Sequence, residues 1–156
     1  MSISKRVKKY LDQNDVKYAS IKHSKAYTAQ EIASSSHIPG KDLAKTVVLK
    51  DKNDEFVLAV LPATDKVDLE EFEQLTDLEG VKLANENDFR DLFPDARTGA
   101  MAPFGNLYDM PTYVSKNLDN NHMITFNAGS HEELIRMPYK KYKELVQPKV
   151  HEFRIK

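Results

Sequence analysis

Residues 46–61 read TVVLKDKNDEFVLAVL, and this stretch decides the fold. Two apolar runs, 46–49 and 56–61, flank the polar segment Asp51-Lys52-Asn53-Asp54. Short apolar runs rich in β-branched residues and separated by a polar turn are typical of a β-hairpin. Neither run alternates with polar residues, which is the pattern of strands buried on both faces. The stretch therefore predicts a hairpin of two central strands.

Helices and strands follow one another irregularly on both sides of this hairpin. Apolar residues at helical spacing predict a helix over residues 4–14, and a short strand is predicted at 16–22. Thr28-Ala29-Gln30-Glu31 fits a capping box and predicts a helix to about Ser35. Asp68 predicts the N-cap of the next helix. The remaining predictions are a strand at 81–84, a helix that opens at Asn87 or Asp88 and closes before Pro94, a loop at 95–111, strands at 112–114 and 123–126 around a turn at 119–121, a strand at 133–137, and a helix from Pro138 to Val146.

The composition is typical of one soluble globular domain. The chain has 156 residues, of which 40% are hydrophobic and 30% charged, a balance that argues against disorder. It contains no cysteine, which excludes disulfides, cysteine nucleophiles and thiolate metal sites. Residues 1–6 lack the apolar core of a signal peptide and no apolar run is long enough to cross a membrane, so we expect a cytoplasmic protein. Together these patterns predict a single α+β domain over residues 1–156, with a mixed, largely antiparallel sheet flanked by helices.

Four segments of the chain resemble the YbaK-like family, which includes the editing domain inserted in bacterial prolyl-tRNA synthetases and its free-standing relatives. The third of them matches the family's Gly-x-x-x-Pro loop. All four occur in the family's order and spacing, within residues 20–147. They are Ala26-Tyr27-Thr28-Ala29-Gln30-Glu31, Leu43-Ala44-Lys45-Thr46-Val47-Val48-Leu49, Gly99-Ala100-Met101-Ala102-Pro103-Phe104-Gly105 and Phe126-Asn127-Ala128-Gly129-Ser130-His131.

The resemblance implies the family's fold and reaction. The fold is a mixed sheet flanked by helices, with a pocket between the strand that bears Lys45 and the glycine-proline loop. The reaction is hydrolysis, in trans, of the ester that joins a small amino acid to tRNA, with alanine or cysteine mischarged on proline tRNA as substrates. Catalysis falls to positioned water, backbone groups and the substrate's own ribose hydroxyl. The implied partner is the aminoacylated 3′ end of tRNA; an aminoacyl-tRNA synthetase stays open as a second partner, and neither membrane nor DNA is implied.

Lys45 is the candidate catalytic residue. A lysine at the start of an apolar strand is also typical of a sheet edge, where its stem packs and its ammonium reaches water. The resemblance favours catalysis, because the family's essential lysine occupies this position. An ammonium at the mouth of a pocket can hold the terminal phosphate or ribose and can stabilise charge on the ester. Thr46 departs from alanine-clearing relatives, which tend to have asparagine, and leaves the amino acid preference open.

The glycine-proline loop predicts a small apolar pocket. Glycine lets backbone come close to a substrate, and such a pocket excludes large side chains while discriminating poorly among small ones. Met101 is the largest flexible side chain of the loop, and we predict that it gates the pocket by size. An ordinary surface loop is the alternative. The implied substrate-binding residues are Tyr27, Thr28, Thr46, Gly99, Met101, Ala102, Pro103, Gly129, Ser130 and His131.

Contact with RNA requires a local basic patch, because the formal net charge is −1. Lys5, Arg6, Lys8 and Lys9 form one candidate patch near the start of the chain. The predicted RNA-binding residues, near its end, are Lys140, Lys141 and Lys143. Solvated helix faces also carry such runs.

Other chemistry finds little support in the sequence. No two histidines have the spacing of helical metal ligands, and no glycine-rich phosphate motif is present, so we expect neither a metal nor a cofactor. Two alternatives to a deacylase stay open. One is a non-catalytic module of the same fold that binds tRNA or a synthetase, and the other is a pocket for a free aminoacyl compound.

Overall fold

The computed structural model of the chain describes residues 5–22, 43–89, 92, 101–127 and 133–155. The predicted helix from Thr28 to Ser35 lies outside these residues. None of the described helices is long and apolar enough to cross a membrane. In chain order the described elements are α1 (Lys5–Gln13), β1 (Ala19–Lys22), β2 (Ala44–Lys50), β3 (Phe56–Pro62), α2 (Leu69–Thr76), β4 (Lys82–Leu83), α3 (Glu86–Phe89), a 3₁₀ turn (Gly105–Leu107), β5 (Thr112–Ser115), α4 (Lys116–Asp119), β6 (Met123–Asn127), β7 (Glu133–Pro138), α5 (Tyr139–Val146) and β8 (Lys149–His151).

The described strands form two sheets, with the orders β4-β2-β3-β5-β8 and β1-β7-β6. The predicted hairpin is confirmed, because β2 and β3 pair antiparallel from Ala44↔Pro62 to Lys50↔Phe56. Its turn is held by Asp51, whose Oδ1 accepts hydrogen bonds from the amides of Asn53 and Glu55 at 2.8 and 3.0 Å. The β3–β5 and β5–β8 pairs are parallel and the other described pairs are antiparallel. The α+β class with largely antiparallel pairing is therefore confirmed, in two sheets rather than the single one predicted.

Apolar clusters cover both faces of the five-stranded sheet. Val60 of β3 packs with Val114 of β5, the apolar face of α1 and the inner face of the three-stranded sheet. Leu61 packs on the other face with Phe72 of α2 and Phe153. Val60 and Leu61 are consecutive in one strand, so their side chains point to opposite faces. The unbroken apolar run of β3 is therefore explained by burial on both sides.

Among the described residues, the helix predictions hold with small shifts of the boundaries, and the predicted helix end before Pro94 lies outside these residues. The N-cap at Asp68 is confirmed, because its Oδ1 accepts the amide of Glu71 at 3.2 Å. α3 begins at Glu86, earlier than predicted, because Asn85 caps it. The side chains of Asn85 and Asp88 each accept the other residue's backbone amide at 2.9 Å, as in a capping box. α5 begins at Tyr139 because Pro138 still belongs to β7.

The strands on either side of the 119–121 turn do not pair with each other. β5 instead lies parallel between β3 and β8, and α4 carries the chain towards β6 in the other sheet. Parallel pairs need long connections, so the partner of such a strand is not encoded in the neighbouring sequence. β8 was not predicted, because Lys149-Val150-His151 contains a single apolar residue.

The two sheets meet at an isolated parallel bridge between Leu43 and Thr125. Both residues are fully buried. The amide of Ala63 donates to the Leu43 carbonyl at 2.8 Å and ties this point to the end of β3. Because β2 and β6 belong to different sheets, they separate beyond the bridge. We call this place the β2–β6 junction, and the candidate site lies beside it.

Candidate functional site

Among the described strands, none covers the part of the β2 edge next to the junction, and we call this part the open edge. β4 pairs with β2 only at Leu49 and Lys50, and the amide of Ala84 donates to the Val48 carbonyl at 2.9 Å. From Ala44 to Val47, no strand of the described residues pairs with this edge. An open strand edge presents backbone donors and acceptors that can bind a ligand. The Lys45 and Thr46 segment is therefore positioned for such contacts.

Lys45 is a half-buried lysine on this edge, paired across the hairpin with Leu61. Burial lowers the pKa of its ammonium below that of a free lysine; the carboxylate of Asp65 opposes this effect and the charge of Lys66 adds to it. A cation that has lost part of its hydration interacts more strongly with an anion or a developing negative charge than one in open water. Lys45 is thus suited to hold a phosphate or to stabilise a polarised ester.

The described part of the glycine-proline loop, from Met101 onwards, is fixed to the core. Ala102 packs in the same cluster as Ala44 and Val60. The carbonyl of Pro103 accepts a hydrogen bond of 2.7 Å from the buried hydroxyl of Tyr142. Phe104 is fully buried, and its ring lies edge-on to those of Phe126, Tyr142 and Tyr10 at centroid distances of 5.4, 5.3 and 6.1 Å. This part of the loop is a built wall rather than a free surface segment.

At Gly105 the backbone of the loop lies close against Met110 and Thr112. Its amide donates to Thr112 Oγ1 at 3.0 Å. A β-carbon at position 105 would overlap both that hydroxyl oxygen and the Met110 carbonyl oxygen. Glycine is therefore the residue that lets the loop turn against the start of β5.

Met101, the predicted size gate, is packed into the core. It is only 6% exposed and lies with Val48, Leu58 and Met110. Its role as a gate stays a prediction. The burial nevertheless means that truncating Met101 changes the stability of the fold as well as any pocket.

Lys45 and the loop lie on opposite faces of β2. Side chains alternate along a strand, so Thr46 points to the same face as Ala44, against which Ala102 packs, and Lys45 points to the other. The two groups therefore meet only around the open edge. A ligand on that edge can touch Lys45 on one face and the Thr46 face on the other.

Asn127 is a polar residue of this region that the sequence did not single out. It ends β6 and is 9% exposed, and its buried Oδ1 has no hydrogen-bond partner among the residues that the structure describes. Buried side-chain oxygens almost always have a partner, so such an atom calls for an explanation. The one sequence signal was its place in the Phe126–His131 segment, as a polar residue after an apolar run.

The other predicted contacts of the aminoacyl group lie outside the described residues. They are Tyr27, Thr28, Gly99, Gly129, Ser130 and His131. The structure therefore places Lys45, Thr46, Met101, Ala102 and Pro103 of the predicted site. Within the described ranges, no three His, Asp or Glu side chains gather in a way that could hold a metal ion.

The predicted RNA-binding lysines lie on the exposed side of α5. Lys143 forms an ion pair of 2.9 Å with Asp119, and Lys141 one of 3.5 Å with Glu144. Lys140 is exposed. α1 packs beside α5, where the Tyr10 hydroxyl donates to the Leu145 carbonyl at 3.3 Å. The two basic segments near the ends of the chain are thus carried by neighbouring helices.

Comparison with known proteins identifies the class of this domain. The family model of the aminoacyl-tRNA editing domain matches residues 23–145, which is most of the chain. The chain belongs to this family, and its function is in tRNA editing, with tRNA as the implied substrate. The search of curated proteins finds no match.

Solved structures share the fold at low sequence identity. One, of a candidate trans-editing enzyme for prolyl tRNA synthetase, has a TM-score of 0.82 and 19% identity, covering 98% of this chain and 97% of that one. A hypothetical protein has a TM-score of 0.87 and 15% identity, covering 97% and 100%. A scaffold used for computational epitope grafting has a TM-score of 0.82 and 17% identity, covering 98% and 97%. These similarities confirm the YbaK-like editing-domain fold.

The packing of Met101 gives a first prediction. Met101→Ala should lower the free energy of unfolding by about 2–5 kcal/mol, because it leaves a cavity beside Val48 and Leu58. Met101→Leu, which nearly conserves volume, should lower it by less than about 1.5 kcal/mol. Denaturant unfolding of the two variants measures the difference. Equal, small losses would show that Met101 is not part of the core.

Proposed function

We propose that the chain is an aminoacyl-tRNA deacylase that acts in trans on small amino acids mischarged on proline tRNA, alanine first and cysteine second. Membership of the editing-domain family supports the reaction class. Similarity in fold to a candidate trans-editing enzyme for prolyl tRNA synthetase supports the choice of tRNA. The observation that carries the proposal is Lys45, a partly desolvated cation on an open strand edge. We place the activity in the cytoplasm.

The proposed reaction is a simple hydrolysis. A water oxygen attacks the ester carbonyl carbon, the bond from that carbon to the ribose oxygen breaks, and the ribose oxygen takes up a proton. The products are the free amino acid and the uncharged tRNA, and no cofactor takes part. Lys45 holds the terminal nucleotide or stabilises the carbonyl oxygen as it gains charge.

The proposed selectivity is based on size. A synthetase rejects a smaller amino acid poorly, since one missing methylene changes binding by only about 1–3 kcal/mol. A second site works if it admits the smaller residue and excludes the correct one. The small side chain of Ala102 and the rigid backbone at Pro103 suit a wall of fixed, narrow shape. Such a wall admits alanine and excludes proline.

The proposed docking of tRNA uses the basic side of α5. Lys140, Lys141 and Lys143 are all exposed, and phosphate groups can replace the surface carboxylates that now pair with two of them. The basic residues of α1, on the neighbouring helix, extend the same surface.

The test of the reaction is a comparison of Lys45 variants. Lys45→Ala should lower the single-turnover rate on alanyl-tRNA(Pro) about a hundredfold or more, as expected when a preorganised electrostatic contact is lost. The fold should survive, because Lys45 is half-buried and belongs to neither described apolar cluster around it. The wild type should hydrolyse alanyl-tRNA(Pro) much faster than prolyl-tRNA(Pro).

A suitable control for this test is Lys82→Ala. Lys82 is an exposed lysine of β4 in the same sheet, so its loss changes the net charge equally. Its deacylation rate should equal that of the wild type. A folded Lys45→Ala variant with an unchanged rate would remove Lys45 from the mechanism. A wild type that binds charged tRNA without hydrolysing any small aminoacyl ester would favour the non-catalytic module.

The docking surface gives a separate prediction on salt dependence. The slope of log binding constant against log salt should fall by roughly one for each α5 lysine that contacts a phosphate. We expect the full effect for Lys140→Ala and smaller effects for Lys141→Ala and Lys143→Ala, whose ammonium groups already have carboxylate partners. The measurement is binding of tRNA(Pro) over a series of salt concentrations, with Lys82→Ala as control. A triple variant that keeps the wild-type slope would place the RNA elsewhere.

A further inference from the structure

Asn127 and Lys45 occupy equivalent places on the two sides of the β2–β6 junction. Leu43 and Thr125 pair in parallel, and each strand continues in the same direction. Lys45 and Asn127 therefore both lie two residues beyond the bridge. Bridge partners point to the same face and side chains alternate, so Lys45 and Asn127 share the face of Leu43 and Thr125. Phe126 lies between Thr125 and Asn127 in β6, so alternation directs its side chain to the other face. It packs there in the cluster of Ala44 and Ala102.

Lys45 and Asn127 lie on different strands, β2 and β6, which border the open edge. The charges that influence the pKa of Lys45 are those of Asp65 and Lys66, which follow β3. β3 lies on the side of β2 away from the open edge. Asn127 lies on β6, across that edge. The face next to the junction thus carries a cationic residue on β2 and a neutral amide residue on β6.

Asn127 supplies the hydrogen-bond acceptor on this face. Thr125, its neighbour two residues earlier, already accepts a hydrogen bond from Arg136 at 3.1 Å through Oγ1. Leu43 is apolar. Among the described residues, the buried Oδ1 atom of Asn127 has no hydrogen-bond partner, and a ligand that brings a donor would satisfy it.

We propose that Asn127 is a specificity residue that recognises the α-amino group of the aminoacyl ester, by accepting a hydrogen bond from it through Oδ1. The inference rests on the proposed function and names what the site recognises in its substrate. The α-amino group is a donor common to all primary aminoacyl esters. Asn127 is a neutral acceptor for this amino group. The Lys45 cation contacts the oxygen-rich nucleotide end of the substrate instead.

The experiment compares two esters that differ only in this amino group. Single-turnover rates are measured on alanyl-tRNA(Pro) and propionyl-tRNA(Pro), each divided by the spontaneous hydrolysis rate of the same ester. Asn127→Ala should lower the alanyl rate about 10–100-fold, as expected when a hydrogen bond to a charged group is lost. The propionyl rate should stay the same in both proteins. This difference between substrates is one that a purely structural role would not produce.

Thr125→Val is the matched control. It removes a buried polar atom from the same face of the same strand, two residues away. It should change the two rates by the same factor. Denaturant unfolding checks that each variant is folded, and Asn127→Ser replaces Asn127→Ala if the latter is not.

Equal losses on both esters in the Asn127 variant, or no loss on either, would overturn the proposal. A loss on alanyl-tRNA(Pro) that disappears when the tRNA ends in 2′-deoxyadenosine would also overturn it, by assigning the amide to the ribose hydroxyl. If the wild type hydrolyses neither ester, the deacylase proposal fails, and binding decides the role of Asn127. In that case the affinities for adenosine carrying a 3′-alanylamide or a 3′-propionylamide are compared. Asn127→Ala should weaken only the first, and equal affinities in wild type and variant would contradict the inference.

Discussion

Leu43 and Thr125 form the bridge at which the two sheets meet, and the position of the candidate site depends on it. One residue pair joins the sheets here, so β2 and β6 run side by side at the bridge and separate beyond it. The polar residues that follow, Lys45 and Asn127, are brought to one face by this geometry. Lys45 and Asn127 lie 82 positions apart in the chain, and the bridge between two strands places them on one face.

The wall on the other face of β2 depends on Phe104. Its ring fills the space between α1, β6 and α5, and the Tyr142 hydroxyl fixes the backbone one residue earlier. A site that discriminates by size needs such rigidity. If the wall can move by about the size of one methylene group, it no longer distinguishes amino acids that differ by one. The same packing joins the loop to α1 and α5, the helices that carry the exposed lysines. The proposed substrate selection and the proposed tRNA docking would therefore share one structural support.

The sequence predicted what local patterns encode. The apolar runs at 46–49 and 56–61 predicted the hairpin because burial on both faces leaves no alternation, and Asp68 predicted a helix start because capping is local. The pairing of β5 with β3 and β8 is non-local, and no residue within β5 specifies it. Lys45 was identified by family resemblance. Asn127 was not, because a missing hydrogen-bond partner is a property of the folded chain.

The sequence likewise could not predict that Lys45 and the glycine-proline loop lie on opposite faces of β2. Alternation along β2 can be read from the sequence, but which face the loop covers depends on how the chain returns to the sheet. Met101 likewise looks like an accessible pocket residue in the sequence and is a core residue in the fold. The proposed placement of the site at the open edge of β2 therefore rests on the three-dimensional structure and not on local sequence patterns.

The most direct test of that placement is a nuclear magnetic resonance titration of the wild-type protein with adenosine carrying a 3′-alanylamide, a stable analogue of the aminoacyl end. We expect the largest changes in backbone amide shifts at Lys45, Thr46, Ala102 and Asn127, around the open edge. Amides at the far end of the hairpin, such as Asn53 and Glu55, should not move. Saturable changes confined to other surfaces, with the amides of the open edge unmoved, would contradict it.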